Sequence, residues 1–186
     1  DEFTLKGYNA TTVDDIVVRA GATRATFYLH FKGKADMILE LMENDTEFRP
    51  RWDALRDLPR KPSRARIREW LVATTQAWEA NRELITVIYQ GVASEPELSA
   101  GAFQRAQEVL NRFVASIRHL GWEDDAHAHA EAMLLFAQLE RTFTYWNFED
   151  DTGERTVVLD LLTENWWAAF NRAAKAAQRL PAGQNA

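Results

Sequence analysis

Hydrogen-bond donors surround Gly21 near the start of the chain, where Thr12 begins one helical pattern and Thr23 begins a second. A hydroxyl group and the exposed amides at a helix start suit a phosphate, because the helix dipole attracts anions there. Thr12 is explained equally well as a simple helix cap. The spacing leaves both roles open.

The second helical pattern carries groups suited to nucleic acid. Its first turn, residues 23–26, is the part of a recognition helix that approaches base edges. Arg24 can donate two hydrogen bonds to guanine, and the small Ala25 allows close approach, although Arg24 taken alone would be read as a solvated surface charge. Donors at the other end of the pattern suit phosphate oxygens, which position a protein without specifying sequence. The candidate DNA contacts are Thr12, Thr23, Arg24, Ala25, Thr26, Tyr28, His30 and Lys34.

Two short helices must position these donors. Thr12 followed by Asp15 resembles a capping box and predicts a helix over residues 13–20. Gly21 ends that helix, since glycine readily adopts the left-handed backbone that other residues resist. Thr23 then caps a second short helix. Two such helices joined by a glycine-bearing turn form a helix-turn-helix, whose second helix enters the major groove of DNA.

Helical periodicity dominates the rest of the chain, and no stretch alternates long enough to predict a strand. The fold class is therefore predicted to be all-α. Three prolines among many charged residues over residues 49–64 predict a domain junction. We expect one domain over residues 1–48, ending in a connector helix from Ala35 to about Phe48, and a larger helical domain over residues 49–186.

Composition favours a soluble globular protein. Hydrophobic residues make up 46% of the chain and charged residues 27%, and no apolar run approaches the roughly 20 residues that a membrane helix needs. The chain has no cysteine, which excludes disulfides and thiolate chemistry and fits a reducing cytoplasm. The net charge is −6, yet residues 1–34 carry five basic and four acidic side chains. A polyanion is therefore expected to meet the N-terminal end.

The segment GYNATTVDDIVVRAGATRATFYLHFKGKADMI, residues 7–38, resembles the tetracycline-repressor-like (TetR) family of bacterial regulators. The Gly7–Tyr8 pair, the Ala20–Gly21 pair and above all TFYLHFKGK, residues 26–34, carry the resemblance. It implies a three-helix DNA-binding domain, a connector helix and a C-terminal domain for ligand binding and dimerisation. The family's first helix is cut here to its last residues, so we expect further residues to precede the chain.

The resemblance also implies partners and site residues. The implied partners are double-stranded operator DNA, a small-molecule effector and a second copy of the chain, with no membrane. Ala22 and Ala25 replace commoner family residues, which leaves the base preference open. The resemblance implies that the following residues occupy positions that face DNA: Thr12, Thr23, Arg24, Thr26, Tyr28, His30 and Lys34.

Aromatic residues on the later helices predict a small-molecule pocket. Seven tryptophans, ten phenylalanines and four tyrosines exceed what the core of a small domain usually holds. Polar groups converging on an aromatic cavity supply orientation, while the rings supply contact area. Each aromatic taken singly is better explained as core. The predicted ligand contacts are Trp78, Tyr89, Phe103, Phe113, Phe136, Glu140, Phe143 and Asn147.

The last two predicted long helices, residues 125–148 and 154–179, have more apolar surface than they can bury alone. Small residues on the first allow close approach, and the apolar stripe of the second completes a four-helix interface with a second copy. A core within one chain is the alternative that the pattern leaves open. The resemblance favours a homodimer, which would match a pseudo-palindromic operator. The predicted interface residues are Ala130, Ala137, Val158, Leu162, Trp166 and Phe170.

Together these patterns predict a ligand-responsive transcriptional regulator, a repressor that a small apolar or amphipathic molecule releases from its operator. The alternative is a small-molecule sensor that does not bind DNA, and the salt dependence of duplex binding would separate the two. An enzyme is not expected, because the sequence has no glycine-rich phosphate loop and no nucleophile elbow. His127 and His129 would face different sides of a helix, so neither a metal ion nor a cofactor is expected.

Overall fold

The computed structural model describes residues 2–43, 49–121, 126–146 and 152–179, and this part of the chain forms α-helices without a strand. The predicted all-α class is confirmed. Short 3-10 turns follow α5 and α8, at Leu55–Asp57 and Arg118–Leu120. The helices are α1 (Glu2–Ala10), α2 (Val13–Ala20), α3 (Arg24–His30), α4 (Lys34–Glu43), α5 (Arg49–Ala54), α6 (Arg64–Ala80), α7 (Arg82–Ser94), α8 (Pro96–Ile117), α9 (Ala126–Trp146) and α10 (Thr152–Arg179).

The connector and the junction differ from their predicted bounds. The connector helix α4 begins at Lys34 and is described to Glu43, and the remainder of its predicted span, residues 44–48, lies outside the described residues. The segment read as a junction contains α5 in spite of Pro50. Proline is tolerated there because the first turn of a helix has no use for its missing N–H.

The helices divide into two compact units. The N-terminal unit comprises Asp1–Thr46 and Ala80–Glu108, and the C-terminal unit comprises Glu47–Glu79 and Val109–Ala186. The N-terminal unit therefore joins α1–α4 to α7 and to the first part of α8. These units are defined by packing, whereas the boundary predicted at residue 48 separates two functions. That boundary stays a prediction.

The N-terminal unit is built where α1 lies against α7. The Phe3 and Tyr8 rings stack with centroids 5.5 Å apart, and both are buried. The Tyr8 backbone N–H donates to Gln90 Oε1 at 2.8 Å. Gly91 of α7 is buried beside the ring, where an added Cβ would lie 3.2 Å from Tyr8 and 2.4 Å from a methyl carbon of Leu98. The glycine thus permits the close approach of the two helices.

The C-terminal unit has an aromatic core. Trp166 of α10 lies at its centre, stacked on Trp70 of α6 with centroids 5.0 Å apart and 5.6 Å from the ring of Phe113. Trp70 Nε1 donates to the backbone oxygen of Arg51 at 2.7 Å, which fixes α5 on α6. We call these residues the aromatic cluster: Trp52, Trp70, Phe113, Phe136, Trp166 and Phe170.

Ion pairs set the register of α6 against α10. Arg64 pairs with Glu164 at 2.5 Å and Arg68 with Asp160 at 3.0 Å. Because the residue numbers rise along α6 while those of their partners fall along α10, the two helices are antiparallel. The four side chains are largely exposed, so these pairs stabilise the fold only modestly. Within the described ranges, no helix has both the length and the apolar character needed to cross a membrane.

Candidate nucleic-acid interface

The start of α2 is a complete capping box. Thr12 Oγ1 accepts from the Asp15 backbone N–H at 3.2 Å, and Asp15 Oδ2 accepts from the Thr12 backbone N–H at 2.9 Å. Lys6 of α1 donates to Asp15 Oδ1 at 2.6 Å. This hydrogen bond, followed by those from Thr12, holds the pKa of the Asp15 carboxyl far below its usual range. The predicted cap is confirmed, and the phosphate contact of Thr12 stays a prediction.

The turn after α2 has the predicted geometry. Gly21 adopts φ 62° and ψ 28°, in the left-handed region, and its N–H donates to carbonyls of the last turn of α2. Thr23 then caps α3, since its Oγ1 accepts from the Thr26 backbone N–H at 3.1 Å. Phe27 is the buried residue of α3, at 5% exposure. The two helices therefore form the predicted helix-turn-helix, and α3 turns most of its surface to solvent.

Seven of the eight predicted DNA contacts lie on exposed positions around α3. Tyr28 is 55% exposed and meets the Phe27 ring edge-on, with centroids 5.4 Å apart. The Tyr28 side chain and the first turn of α3 are thus exposed to solvent. We call the following set the α3 surface: Thr12, Thr23, Arg24, Ala25, Thr26, Tyr28 and His30.

Asp14 holds Arg24 across the turn. Both carboxylate oxygens of Asp14 accept from the guanidinium, from Nε and, at 2.7 Å, from Nη2. This hydrogen-bonded pair raises the pKa of Arg24 above its usual value. Asp14 lies in the first turn of α2 and Arg24 in the first turn of α3, so the pair ties the two helices together. Asp14 was not among the predicted site residues. Its charge, opposite to that of Arg24 in the first turn of the next helix, is a signal that the sequence does carry.

Lys34 has a different position from the one predicted. Its ammonium donates to the backbone oxygens of Tyr8 at 2.9 Å and Thr11 at 3.2 Å, and it lies 4.3 Å from the centre of the Tyr8 ring. Carbonyls near a helix end attract a cation in this way. Lys34 is thus engaged inside the N-terminal unit, fastening the start of α4 to the end of α1. Glu95 Oε1 also lies 4.0 Å from the ammonium. The phosphate contact predicted for Lys34 stays a prediction.

We expect Lys34→Met to lower the free energy of unfolding by about 1.5–3 kcal/mol, because two backbone carbonyls lose a charged donor. Urea denaturation followed by circular dichroism measures this change. Lys32→Met is the matched control, since Lys32 lies two residues earlier on an exposed position. Equal stability of the two variants would contradict the structural role of Lys34.

Two exposed apolar residues near the turn escaped the sequence analysis. Val18 is 80% exposed and Leu29 is 82% exposed. Residues two positions apart on a helix lie about 200° apart around its axis. Leu29 therefore faces away from the core that Phe27 enters. This orientation follows from helical spacing and could have been predicted from the sequence. An apolar side chain there suits the methyl group of thymine.

The predicted ligand contacts are divided between the two units. Tyr89 and Phe103 belong to the N-terminal unit, and Phe103 is 67% exposed on α8. Phe113 and Phe143 are fully buried in the core of the C-terminal unit. For these two rings the core explanation, which the sequence analysis preferred for each aromatic taken singly, holds.

The remaining predicted ligand residues lie in the C-terminal unit. Phe136 joins the aromatic cluster, 6.3 Å from Phe113 between ring centres, and Trp78 packs 5.0 Å from Phe143. Glu140 Oε1 accepts from Thr144 Oγ1 at 3.1 Å, one turn further along α9. Asn147 lies outside the described residues. An effector pocket among these groups stays a prediction.

The predicted dimer interface needs a correction. Leu162, Trp166 and Phe170 are buried in the core of their own chain, at 3%, 0% and 0% exposure, so their side chains are not available to a second copy. Ala130 and Ala137 are exposed, while Val158 is half-buried. Other apolar side chains on the same helices face outward instead. They are Met133, Leu134 and Tyr145 of α9 and Val157 and Leu161 of α10.

A cleft of about 380 Å³ opens in the N-terminal unit. Lys32, Asp36, Glu95 and Glu97 contribute to its lining, so both signs of charge face it. None of the predicted ligand contacts lines this cleft. Its polar walls do not match the apolar effector that the aromatic composition favoured.

A capped α2, a left-handed glycine turn and an exposed α3 define a helix-turn-helix, the motif that many DNA-binding proteins share. Residues 1–41 match the family model described as bacterial regulatory proteins, tetR family. The N-terminal part of the chain is accordingly similar to the tetR family of bacterial regulators, which agrees with the resemblance found at residues 7–38. The match does not support the alternative of a sensor without DNA binding. No curated protein and no solved structure matches the chain.

Proposed function

We propose that the chain is a ligand-responsive repressor that binds a pseudo-palindromic operator as a homodimer in the cytoplasm. The observation that carries this proposal is the α3 surface, which the capping box and the glycine turn hold open to solvent. A small apolar or amphipathic effector would release the operator. We assign the chain no catalytic role, since members of its family are regulators.

Sequence reading is assigned to the first turn of α3. Arg24 carries a planar guanidinium that suits guanine O6 and N7, and its side chain is 63% exposed. Ala25 beside it has no bulk to keep the helix from the groove. Tyr28 and His30, at the other end of α3, carry donors for phosphate oxygens.

Arg24→Ala is expected to weaken operator binding by about 1–3 kcal/mol and to relax preference at one base pair, because the bidentate contact is lost. The operator is first selected from a library of random duplexes with the unmodified chain. Fluorescence anisotropy at a fixed salt concentration then measures each variant on a series of single-base operator changes.

Tyr28→Phe is the control for the Arg24 experiment. It removes one phosphate donor and should weaken binding to all sequences alike. Arg24 would be rejected as the base reader if Arg24→Ala kept the full preference of the unmodified chain across the series.

We assign ligand response to the C-terminal unit. The types of side chain found there support this assignment. The half-buried rings of Trp78 and Phe136 supply apolar contact area of the kind that a small-molecule site needs, and Glu140 supplies a polar group one turn along α9 from Phe136. Release requires that the effector bind one conformer more tightly than the other, since equal affinity for both shifts nothing. Screening small molecules for loss of the duplex complex tests this part of the proposal.

A further inference from the structure

The contact between Asp14 and Arg24 leaves one edge of the guanidinium unused. A guanidinium has five N–H donors in a rigid plane. Asp14 takes the N–H of Nε and one N–H of Nη2. The second hydrogen of Nη2 and one hydrogen of Nη1 point along the remaining edge, while the other Nη1 hydrogen points back toward Cδ. That edge presents two parallel donors, which is the pattern that guanine O6 and N7 accept.

The backbone that carries Asp14 beside this donor edge is held in place. Asp14 lies in the first turn of α2, whose backbone Thr12 and Asp15 hold through the capping box. A free arginine side chain has several rotatable bonds and loses rotamer entropy when one orientation is selected. A carboxylate that binds two donors of the same plane restricts that orientation before DNA arrives.

Fold stability gives a weaker account of the pair. The Arg24 and Asp14 side chains are 63% and 59% exposed, and pairs in water contribute little to folding. Asp14 also places a negative charge on the face that meets the phosphates, which opposes binding to any duplex. An acid in the first turn favours the α2 dipole, but that effect is not specific to Arg24.

We propose that Asp14 is a positioning residue that determines sequence specificity, holding the Arg24 guanidinium so that its Nη1 and Nη2 edge meets a guanine. This inference rests on the proposed function, in which Arg24 reads a base. Asp14 itself touches no base. It sharpens discrimination at one position while it lowers affinity for DNA as a whole.

The test compares discrimination with general affinity. Discrimination is the dissociation constant for the operator without the guanine divided by that for the selected operator, and general affinity is measured on a random-sequence duplex. Asp14→Ala is expected to lower the discrimination ratio by about fivefold or more, within the range that a bidentate contact supplies. Its affinity for the random duplex is expected to rise. Because one protein preparation binds both duplexes, any unfolded fraction cancels in the ratio.

Two further variants separate position from charge. Asp57→Asn changes the net charge equally on an exposed position in the 3-10 turn after α5, and should leave the ratio unchanged. The double variant Asp14→Ala, Arg24→Ala should discriminate no differently from Arg24→Ala alone, because Asp14 acts through Arg24.

The outcomes distinguish failure of the positioning role of Asp14 from failure of the proposal that Arg24 reads a base. If Arg24→Ala leaves the ratio intact, Arg24 does not read the base and the proposed reading fails. If Arg24→Ala lowers the ratio but Asp14→Ala does not, the role of Asp14 alone is overturned. If Asp14→Ala gains affinity equally for every duplex, the variant reports only the lost charge. If it loses affinity equally for every duplex, it reports only impaired folding. Either result also overturns the positioning role of Asp14.

Discussion

Leu161→Glu is expected to convert the proposed homodimer into a monomer and to lower operator affinity by about 100-fold or more, because two linked half-site contacts become one. Leu161 is 60% exposed on α10, and Val157 lies one turn earlier on the same face at 59% exposure. A carboxylate placed between two apolar surfaces must be desolvated without a partner. Leucine and glutamate have similar helix propensity, so the fold of the single chain should be retained.

Light scattering after size-exclusion chromatography measures the mass of the Leu161→Glu variant, and anisotropy measures its operator affinity. Thr156→Glu is the matched control, since Thr156 is exposed on α10 but faces about 140° away from Leu161. A dimeric Leu161→Glu variant with full operator affinity would move the interface away from this face.

Trp166→Ala is expected to lower the free energy of unfolding by about 3–5 kcal/mol, as removal of a large buried ring leaves a cavity. The ring is fully buried and contacts Trp70, Phe113 and Phe170. Since the loss arises within one chain, it should not depend on protein concentration. Urea denaturation at two protein concentrations measures both properties.

Trp167→Ala is the matched control for Trp166. Trp167 is the next residue on α10, half-buried, with the Arg64 guanidinium 3.5 Å above its ring. Its loss should cost about 1 kcal/mol, the scale of an exposed cation–π contact. If the two tryptophan variants were equally stable, or if the effect of Trp166→Ala scaled with concentration, Trp166 would belong at an interface after all.

Local chemistry made the helix-turn-helix predictable. The capping box of Thr12 and Asp15, the left-handed Gly21 and the cap at Thr23 each act within four residues, so the sequence carries them directly. The bounds of α2 follow from them without reference to the rest of the chain. The exposed face of α3 follows in turn from the single core position at Phe27.

Contacts between distant residues were not predictable. Lys34 binds carbonyls 23 and 26 residues away, and Tyr8 binds a side chain 82 residues away. No local pattern reports which carbonyl an ammonium will reach. The packing of α1 on α7 and the engagement of Lys34 therefore had to come from the structure.

Periodicity identified the apolar stripe of α10 but not the surface that covers it. Leu162, Trp166 and Phe170 do share a buried face, and α6 and α8 of the same chain cover it. A second chain would produce the same spacing. The effector pocket has the same difficulty, because a ring that lines a cavity and a ring that fills a core have identical patterns.

The small core of α3 has a consequence for how the protein searches DNA. One buried ring, Phe27, the cap at Thr23 and the exposed pair of Asp14 with Arg24 hold a helix of seven residues. Few contacts must loosen for such a helix to tilt or slide by a fraction of an ångström. The protein can thus settle into grooves of slightly different width along a genome while the rest of its N-terminal unit keeps its packing.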